Sequence, residues 1–255
     1  MSGTHAHALF VPGDSVLHAV RPECKLLAQL RFVFAVVATP REAFWAFVVY
    51  ALILLTLMHI AGLAPRFVAK RLVIEVPFII FALLMPFLAH GEKVVVLGIP
   101  MYVSGLWAAW NILAKATLGL MATIVVSSTT PMADLLRGLE RLHLPRAFTT
   151  IGGFMIRYLD VISAEAQRMR VARDSRGYDP RWIWQARAFG ASAGALFIRS
   201  YERGERVYLA MLSRGYTGSL PDMDGGTAPA AMWAACLAVP AFAALVAVVA
   251  WAVQP

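Results

Sequence analysis

The stretch Ala230–Val253, AAMWAACLAVPAFAALVAVVAWAV, has no charged residue in 24 positions, and only Pro240 interrupts its helical character. About 20 apolar residues in a helix are enough to cross the hydrocarbon core of a bilayer, which is about 30 Å thick. The whole chain has a matching composition, because 60% of its 255 residues are hydrophobic and 15% are charged. Soluble domains are about half apolar and a quarter charged. The sequence therefore predicts an integral membrane protein.

Four further stretches extend this prediction to about five transmembrane helices. They are Leu26–Ala38, Ala43–Leu63, Leu72–Ala89 and Gly105–Val126. Leu26–Ala38 is the shortest and spans a bilayer only if its flanks join the helix. Pro77 and Pro86 are expected to kink Leu72–Ala89, because proline removes a helical hydrogen bond. The fold class expected from these stretches is an all-α integral membrane protein.

Basic residues indicate which loops face the cytoplasm. The segment Thr129–Ala228 holds 14 of the 23 lysines and arginines, and Pro65–Arg71 holds three more. The loop His90–Ser104 has only Lys93, next to Glu92. Because basic loops stay in the cytoplasm, we expect an amino terminus inside and a carboxyl terminus outside. The chain is divided into four spans (1–128), a cytoplasmic module (129–228) and a last span (229–255), which form one functional unit.

Two ionisable residues lie within predicted spans. Glu75 is three residues from the inner end of one span, and Lys115 is about 11 residues from the inner end of another. At about 1.5 Å per residue their depths differ by about 12 Å, so we expect no pair between them. Each is expected to snorkel or to face a neighbouring protein helix. A proton relay would need a chain of such groups, and the sequence has none.

The cytoplasmic module contains three predicted helices. The first, in TTPMADLLRGLERLHLP, is amphipathic and suits a membrane surface, with Thr130 as its N-cap and Pro131 at its first position. The second runs from Pro145 to Arg176 and the third from Gln185 to Arg214, each about 45 Å long. Gly190–Gly194, GASAG, matches the small-residue pattern that lets two helices approach closely.

The tetrapeptide Ser-Arg-Gly-Tyr occurs at the end of both long helices, at 175–178 and at 213–216. A glycine just past a helix end adopts the left-handed conformation that closes the helix, and a cation suits the negative end of the dipole. That structural role alone could explain one copy. Two copies at two helix tips favour a functional role, because an exposed arginine can make bidentate contacts to a carboxylate. Two such tips would suit a pair of identical partner subunits.

At these residues the chain resembles the transmembrane T subunit of energy-coupling-factor (ECF) transporters, of the cobalt-type CbiQ family. The similarity is carried by TTPMADLLRGLERLHLP, FMIRYLDVISAEAQRMRVARDSRG and ERVYLAMLSRGYTG. LHAVRPECKLLAQL matches an Asp-Pro-Arg-x-Lys-Leu-like stretch only in part, since Arg21 replaces the aspartate and Glu23 the arginine. The family's paired Ala-Arg-Gly motifs carry serine here in place of alanine. The corresponding residues are Ser175, Arg176, Gly177, Ser213, Arg214 and Gly215.

The resemblance implies a coupling subunit of a bacterial inner-membrane importer for cobalt or nickel. It implies that the fold combines about five transmembrane helices with long, crossed cytoplasmic coupling helices. It further implies that Arg176 and Arg214 dock two ATP-binding cassette ATPases, with the flanking Ser and Gly residues shaping the tips. It also implies a substrate-binding membrane subunit like CbiM, with or without a small CbiN-like subunit. The chain would then be non-catalytic, without a cofactor or metal of its own. Consistent with this, the sequence lacks a G-x-x-x-x-G-K-[ST] phosphate loop, and His5 and His7 are interpreted as incidental.

The sequence leaves three alternative functions. The first is a T subunit for another micronutrient, such as a vitamin, because the sequence does not fix the ion. The second is a self-contained membrane enzyme or carrier, for which the sequence offers no nucleophile–base pair and no internal repeat of spans. The third is a nucleic-acid binder. The ten acidic residues of Thr129–Ala228 nearly balance its 14 basic ones, and its tyrosines and tryptophans are not interleaved as a stacking platform, so we expect no nucleic-acid partner.

Overall fold

The computed structural model of the chain describes residues 10–96, 99–178, 186–218, 226 and 228–253. These residues form ten α-helices, one 3-10 turn and one two-stranded sheet. The helices are α1 (Val16–Ala19), α2 (Pro22–Ala38), α3 (Phe44–Ile60), α4 (Pro65–Leu72), α5 (Val76–Leu88), α6 (Val103–Thr129), α7 (Met132–Arg141), α8 (Arg146–Asp174), α9 (Ala186–Leu212) and α10 (Ala230–Val253). The prediction of an all-α membrane protein is confirmed.

The described chain divides into two compact units. The membrane unit comprises residues 9–138 and 227–255, and the arm unit comprises Leu139–Gly226. The arm unit contains α8 and α9, which we call the arms. The sequence-based division at residues 129 and 228 concerns function, and it stays a prediction.

Three helical stretches are long and apolar enough to cross a bilayer. They are Pro65–Leu88, Val103–Thr129 and Ala230–Val253, of 24, 27 and 24 residues. Two shorter helices, α2 and α3, have 17 residues each, which is the lower limit for a span. Ala230–Val253 coincides with the predicted span. The observed stretch that contains the predicted span Leu72–Ala89 starts earlier, at Pro65, because α4, the 3-10 turn and α5 follow one another without a loop.

The core of the membrane unit is formed by α2, α3, α6 and α10. Tyr50 on α3 is fully buried, and its hydroxyl donates a hydrogen bond of 3.1 Å to the carbonyl of Ala243 on α10. At the far end of α2, the indole Nε1 of Trp251 donates to the carbonyl of Ala38 at 2.8 Å. Because the start of α2 lies beside the start of α10, these two helices run parallel.

Helices α5 and α6 are in close contact at Gly105. A Cβ atom at this position would lie 2.4 Å from the carbonyl oxygen of Met85 and 2.7 Å from the Cα of Pro86. Real Cβ atoms do not approach backbone this closely, so only glycine fits here.

In the stretch Pro65–Leu88, a 3-10 turn at Val73–Glu75 precedes Pro77. Proline has no N–H and cannot donate to the carbonyl four residues earlier.

Glu75 and Lys115 do not form an ion pair, as predicted. The predicted reason, a difference of about 12 Å in their depths in the membrane, was wrong. The helical stretch begins at Pro65, so Glu75 lies near its middle, and its Oε1 lies 2.5 Å from Thr117 Oγ1 on α6. Lys115 is only two positions from Thr117 but donates from Nζ to the carbonyl of Val37 at 2.7 Å. Both groups face protein partners, which is one of the two expected arrangements.

The loop predicted for His90–Ser104 contains an antiparallel hairpin. Its strands are β1 (Lys93–Val96) and β2 (Ile99–Tyr102), with Lys93 opposite Tyr102. Lys93 Nζ lies 5.4 Å from the centroid of the Tyr102 ring. Gly98, between the two strands, lies outside the described residues.

The start of α7 differs by one residue from the prediction. The carbonyl of Pro131 accepts the N–H of Leu135 at 3.0 Å, so Pro131 precedes the first helical residue, Met132. Thr130 is therefore not the N-cap. Instead its hydroxyl accepts a hydrogen bond of 2.8 Å from the buried Nζ of Lys25. The tertiary contact to Lys25 takes the oxygen that the local pattern assigned to capping.

Candidate functional site

The two arms are the longest helices of the arm unit, with 29 residues in α8 and 27 in α9. At about 1.5 Å per residue they are about 40 Å long. The predicted bounds, Pro145–Arg176 and Gln185–Arg214, agree with the observed helices to within two residues at each described end. The predicted first residue, Gln185, lies outside the described residues.

Polar side chains join the arms to each other. Glu165 on α8 forms an ion pair with Arg199 on α9, and it also accepts a hydrogen bond of 2.6 Å from Arg168 on its own helix. Nearer the end of α8, Arg173 Nη1 donates to Ser192 Oγ at 3.1 Å. Residue numbers rise along α8 as they fall along α9, so the arms are antiparallel.

The end of α8 is also held by aromatic contacts. The guanidinium carbon of Arg173 lies 4.2 Å from the ring centroid of Phe189 and 5.7 Å from that of Tyr178. A guanidinium over an aromatic face is attracted by the ring quadrupole. Arg173 therefore links the last turn of α8 to the first turns of α9. The sequence pattern did not single out Arg173, Glu165 or Arg199 for these roles.

A groove of about 210 Å³ lies between the arms beside the Glu165–Arg199 pair. Val161, Ile162 and Leu196 form its apolar part, and Arg203 and Arg206 line its charged part. Within the described residues it contains no cluster of groups suited to hold a metal ion. The groove is lined by residues of both arms and therefore lies along the interface between α8 and α9.

The first Ser-Arg-Gly-Tyr copy closes α8 with two defined hydrogen bonds. The N–H of Tyr178 donates to the carbonyl of Arg173 at 3.4 Å, and the N–H of Gly177 donates to that of Asp174 at 3.0 Å. This pair of bonds is the Schellman motif, which satisfies the last carbonyls of a helix.

The second copy closes α9 in the same way. The N–H of Tyr216 donates to the carbonyl of Met211 at 3.0 Å, and the N–H of Gly215 donates to that of Leu212 at 3.0 Å. The serine hydroxyls match as well, because Ser175 and Ser213 each donate to the carbonyl three residues earlier at 3.0 Å. The repeated sequence therefore builds two local structures with the same hydrogen bonds.

The glycine of each copy has the expected left-handed conformation. The φ angle is 73° at Gly177 and 81° at Gly215. A Cβ at either position would meet nothing within 4 Å. Glycine is therefore required by the backbone conformation and not by lack of space.

The arginine of each copy is exposed. Arg176 and Arg214 each occupy the last position before the left-handed glycine. Neither guanidinium has a hydrogen-bond or ion-pair partner among the parts of the chain that the structure describes. Each side chain is thus available to an acceptor on another molecule.

The antiparallel arrangement places the two tips at opposite ends of the arm pair. Arg176 is three residues beyond Arg173, which contacts Ser192 near the start of α9. Arg214 is 22 residues beyond Ser192, which corresponds to about 33 Å of helix. The structure thus offers two equivalent arginine tips, one at each end. A Cβ at Gly190 or Gly194 of GASAG would meet nothing within 4 Å, so neither glycine is needed for a close approach to another described helix.

A family model described as "Cobalt transport protein", CbiQ, matches residues 13–223. The chain belongs to the CbiQ family. The match to this CbiQ model includes both arms and both arginine tips. It also covers α1 to α7, and α10 lies beyond it.

Relatives of this CbiQ-family chain differ in how much of it they cover. The energy-coupling factor transporter transmembrane protein EcfT of Thermotoga maritima is 26% identical over 224 residues, which are 83% of this chain and 81% of that protein. The cobalt transport protein CbiQ of Rhodobacter capsulatus is 27% identical over 181 residues, 69% of this chain and 73% of that one. A putative fused cobalt transport protein CbiMQ of Methanocorpusculum labreanum is 31% identical over 120 residues, 46% of this chain. The match spans only 20% of that fused protein's length.

Family membership and the apolar helices together establish a membrane protein. His5 and His7 lie outside the described residues. The assignment of the two tips to ATPase docking stays a prediction. It concerns Ser175, Arg176, Gly177, Ser213, Arg214 and Gly215.

Proposed function

We propose that this CbiQ-family chain is the transmembrane coupling subunit of an ECF-type importer for cobalt or nickel ions. In this role it transmits the movement of two ATPase subunits to a substrate-binding membrane subunit. The observation that supports it is the pair of equivalent arginine tips, Arg176 and Arg214, at opposite ends of the arms. Identical structures at two separate ends suit two copies of one partner.

The chemistry of each tip indicates how an ATPase is held. A guanidinium presents several N–H donors in a planar fork, which matches a carboxylate with two parallel hydrogen bonds. Because Arg176 and Arg214 have no described acceptor within the chain, such an interaction requires no internal bond to be broken first. The Schellman turn defines the backbone position from which the guanidinium is presented.

The arms also offer apolar surface for a membrane partner. Phe148, Ile151 and Met155 on α8 are 63%, 55% and 68% exposed. On α9, Phe197 and Tyr201 are 70% and 66% exposed. Apolar surface of this extent marks an interaction site. We assign it to the substrate-binding subunit, in the CbiM role, with membrane lipid around it. The fused CbiMQ relative supports this pairing by its name.

In this proposal the chain itself performs no catalysis. ATP hydrolysis belongs to the partner ATPases, and the metal ion is bound by the substrate-binding subunit. A T subunit serving another micronutrient, such as a vitamin, is the second candidate. The similarity to EcfT over 83% of this chain supports it, since that name specifies no substrate.

The experiment is to co-express the chain with its ATPase and substrate-binding subunits and to replace both tip arginines with alanine. We expect R176A/R214A to lose ATPase co-purification and ATP-dependent metal uptake. Arg157→Ala is the matched control, because Arg157 is an exposed arginine on α8 far from the tip. Lysine at both tips is expected to restore little, since it lacks the planar fork. Normal co-purification and uptake in R176A/R214A would contradict the docking role.

The substrate is tested separately with the wild-type complex. Uptake of radioactive Co²⁺ and Ni²⁺ is compared with uptake of a vitamin set under the same conditions. Uptake of either ion supports the metal importer. Uptake of a vitamin alone would replace it with the second candidate.

A further inference from the structure

The first turns of the stretch Pro65–Leu88 carry two exposed cations, Arg66 and Lys70, which we call the basic pair. They are four residues apart on α4, so their side chains are neighbours on one face of the helix. Like charges at this spacing repel each other. Among the described residues, neither member of the pair has a hydrogen-bond or ion-pair partner. The pair is therefore a concentration of positive charge that the described chain leaves uncompensated.

The third base of α4 has a different role. Arg71 Nη1 donates to Ser128 Oγ on α6 at 2.8 Å, and its guanidinium carbon lies 4.1 Å from the centroid of the Phe67 ring. Val68 and Glu75 are buried on this same inner side of the helical stretch. The inner side thus holds α4 against α6 without help from the basic pair.

The outer side of the stretch, which carries the basic pair, becomes apolar within one turn. Val73 and Ile74 follow Lys70 at the third and fourth positions, which places them on the same side, and they are 64% and 69% exposed. Ile80 and Phe81 further along are exposed as well. Because this stretch is long and apolar enough to cross a bilayer, its exposed apolar side chains face lipid chains or a membrane partner.

The order of charge and apolar surface along the outer side matches a phospholipid. The phosphate of a phospholipid adjoins its acyl chains, so a phosphate at the basic pair leaves the chains beside Val73 and Ile74. Basic residues at a membrane surface attract anionic lipids. A zwitterionic headgroup also brings a cation to the pair, which offsets part of this attraction. A protein partner would need an acid at the level of the pair and apolar side chains one turn away, whereas an anionic lipid always supplies both.

We propose that the outer side of α4 is a binding site for an anionic phospholipid. The lipid phosphate lies between Arg66 and Lys70, and the acyl chains extend along Val73 and Ile74. The segment Pro65–Arg71 contains no acidic residue, so none of its own side chains competes with the phosphate. The site does not depend on the function proposed above, because it needs only that this stretch spans the bilayer.

The test is native mass spectrometry of the full chain with two lipids that have the same acyl chains. Dioleoylphosphatidylglycerol is anionic and dioleoylphosphatidylcholine is zwitterionic, and we expect the wild type to bind the first more tightly. In R66Q/K70Q the affinity for phosphatidylglycerol should fall on the order of tenfold, because both cations at the headgroup are lost. R157Q/R206Q is the matched control, because it removes the same charge from exposed positions on the arms. Equal affinity in the wild type and R66Q/K70Q, or an equal loss in the control, would overturn the proposal.

A charge-conserving variant tests the cause of the preference. R66K/K70R keeps both charges and should keep the preference for phosphatidylglycerol, and loss of the preference would exclude charge as its cause. If R66Q/K70Q does not fold, which circular dichroism and gel filtration report, R66Q and K70Q are each expected to lose part of the affinity.

Two further measurements distinguish the lipid from other occupants. Inorganic phosphate at the same concentration should not displace phosphatidylglycerol, because it has no chains, and displacement would assign the basic pair to a free anion. Co-purification of the substrate-binding subunit should be unchanged in R66Q/K70Q. Its loss, together with an unchanged affinity for phosphatidylglycerol, would assign this surface to that subunit and overturn the proposal.

Discussion

Glu165 on α8 and Arg199 on α9 form an ion pair that joins the two arms where solvent can reach it. The Arg199 side chain is 60% exposed and that of Glu165 is 21% exposed. Exposed ion pairs contribute little to stability and weaken with salt. The arms are therefore joined by a contact that can be broken and re-formed at low cost, which suits the coupling movement proposed above.

The first prediction concerns the pH dependence of this contact. Hydrogen bonds from Arg168 and from Arg199 lower the pKa of Glu165. A lowered pKa in the folded state means that the stabilisation is present above the usual glutamate pKa of about 4.3 and is lost as the pH falls through the lower value. With spin labels at Val171 and Phe197, we expect the distance distribution between the arms to broaden at low pH.

Two variants separate the contact across the arms from the contact within α8. Glu165→Gln should broaden the distance distribution already at neutral pH and remove its response to acid. Arg168→Ala should leave it narrow, because Arg168 pairs with Glu165 on the same helix. A broad distribution in Arg168→Ala and a narrow one in Glu165→Gln would reverse these assignments.

The second prediction concerns the left-handed glycines at the tips. Gly177→Ala and Gly215→Ala introduce a Cβ at φ angles of 73° and 81°, which costs about 1–2 kcal/mol per residue. The tip should relax and displace its arginine, and docking of the ATPase should weaken on the order of tenfold, as measured by biolayer interferometry. Gly204→Ala is the control on α9, where a Cβ meets nothing within 4 Å. It should stabilise the helix by about 0.5–1 kcal/mol and leave docking unchanged.

The third prediction concerns the packing of α5 on α6. Gly105→Ala forces a Cβ against the backbone of Met85 and Pro86, and overpacking of this kind typically costs about 1–3 kcal/mol. We expect a lower melting temperature for the purified chain in detergent. Gly119→Ala, also on α6, has open space around it and should be neutral or stabilising. Equal melting temperatures for the two variants would show that the helices are not in contact at Gly105.

The fourth prediction concerns the buried lysine at the start of α2. Lys25 Nζ donates to the carbonyl of Thr129 at 3.1 Å and to Thr130 Oγ1 at 2.8 Å, and the residue is 8% exposed. Lys25→Met keeps the length of the side chain but leaves both acceptors without this donor, at a cost of about 1–3 kcal/mol. Lys70→Met, at an exposed lysine of α4, should cost much less. Thermal unfolding compares the two, and an equal loss would contradict a specific role for Lys25.

Features set by local chemistry were predictable from the sequence. The Ser-Arg-Gly-Tyr copies specify their helix ends because glycine alone adopts the left-handed conformation without strain, whatever surrounds it. The span Ala230–Val253 was predictable because an uncharged apolar run of that length has no other stable environment. The hairpin Lys93–Tyr102 was missed, since its valines match a strand and an apolar loop equally well.

Contacts between elements that lie far apart in the sequence could not be predicted from the sequence. Lys25 and Thr130 are 105 residues apart, and Glu75 and Thr117 are 42 apart. No periodicity relates such positions, so the N-cap at Thr130 and the depth of Glu75 were both assigned from local pattern and were wrong. The Arg173–Ser192 bond likewise depends on the arms being antiparallel, which helix lengths alone do not determine.

The arms are supported unequally at their two tips. Among the described contacts, Arg173 holds α8 three residues before its tip, whereas Arg206 is the last α9 residue that lines the groove with α8, eight residues before Arg214. The tip of α9 therefore lies about 12 Å beyond its last groove residue, whereas the tip of α8 lies about 4.5 Å beyond Arg173. A helix bends further under a load at its end when a longer part of it extends beyond its last contact. If two ATPases dock at the tips as proposed, the α9 tip is expected to yield further under load than the α8 tip.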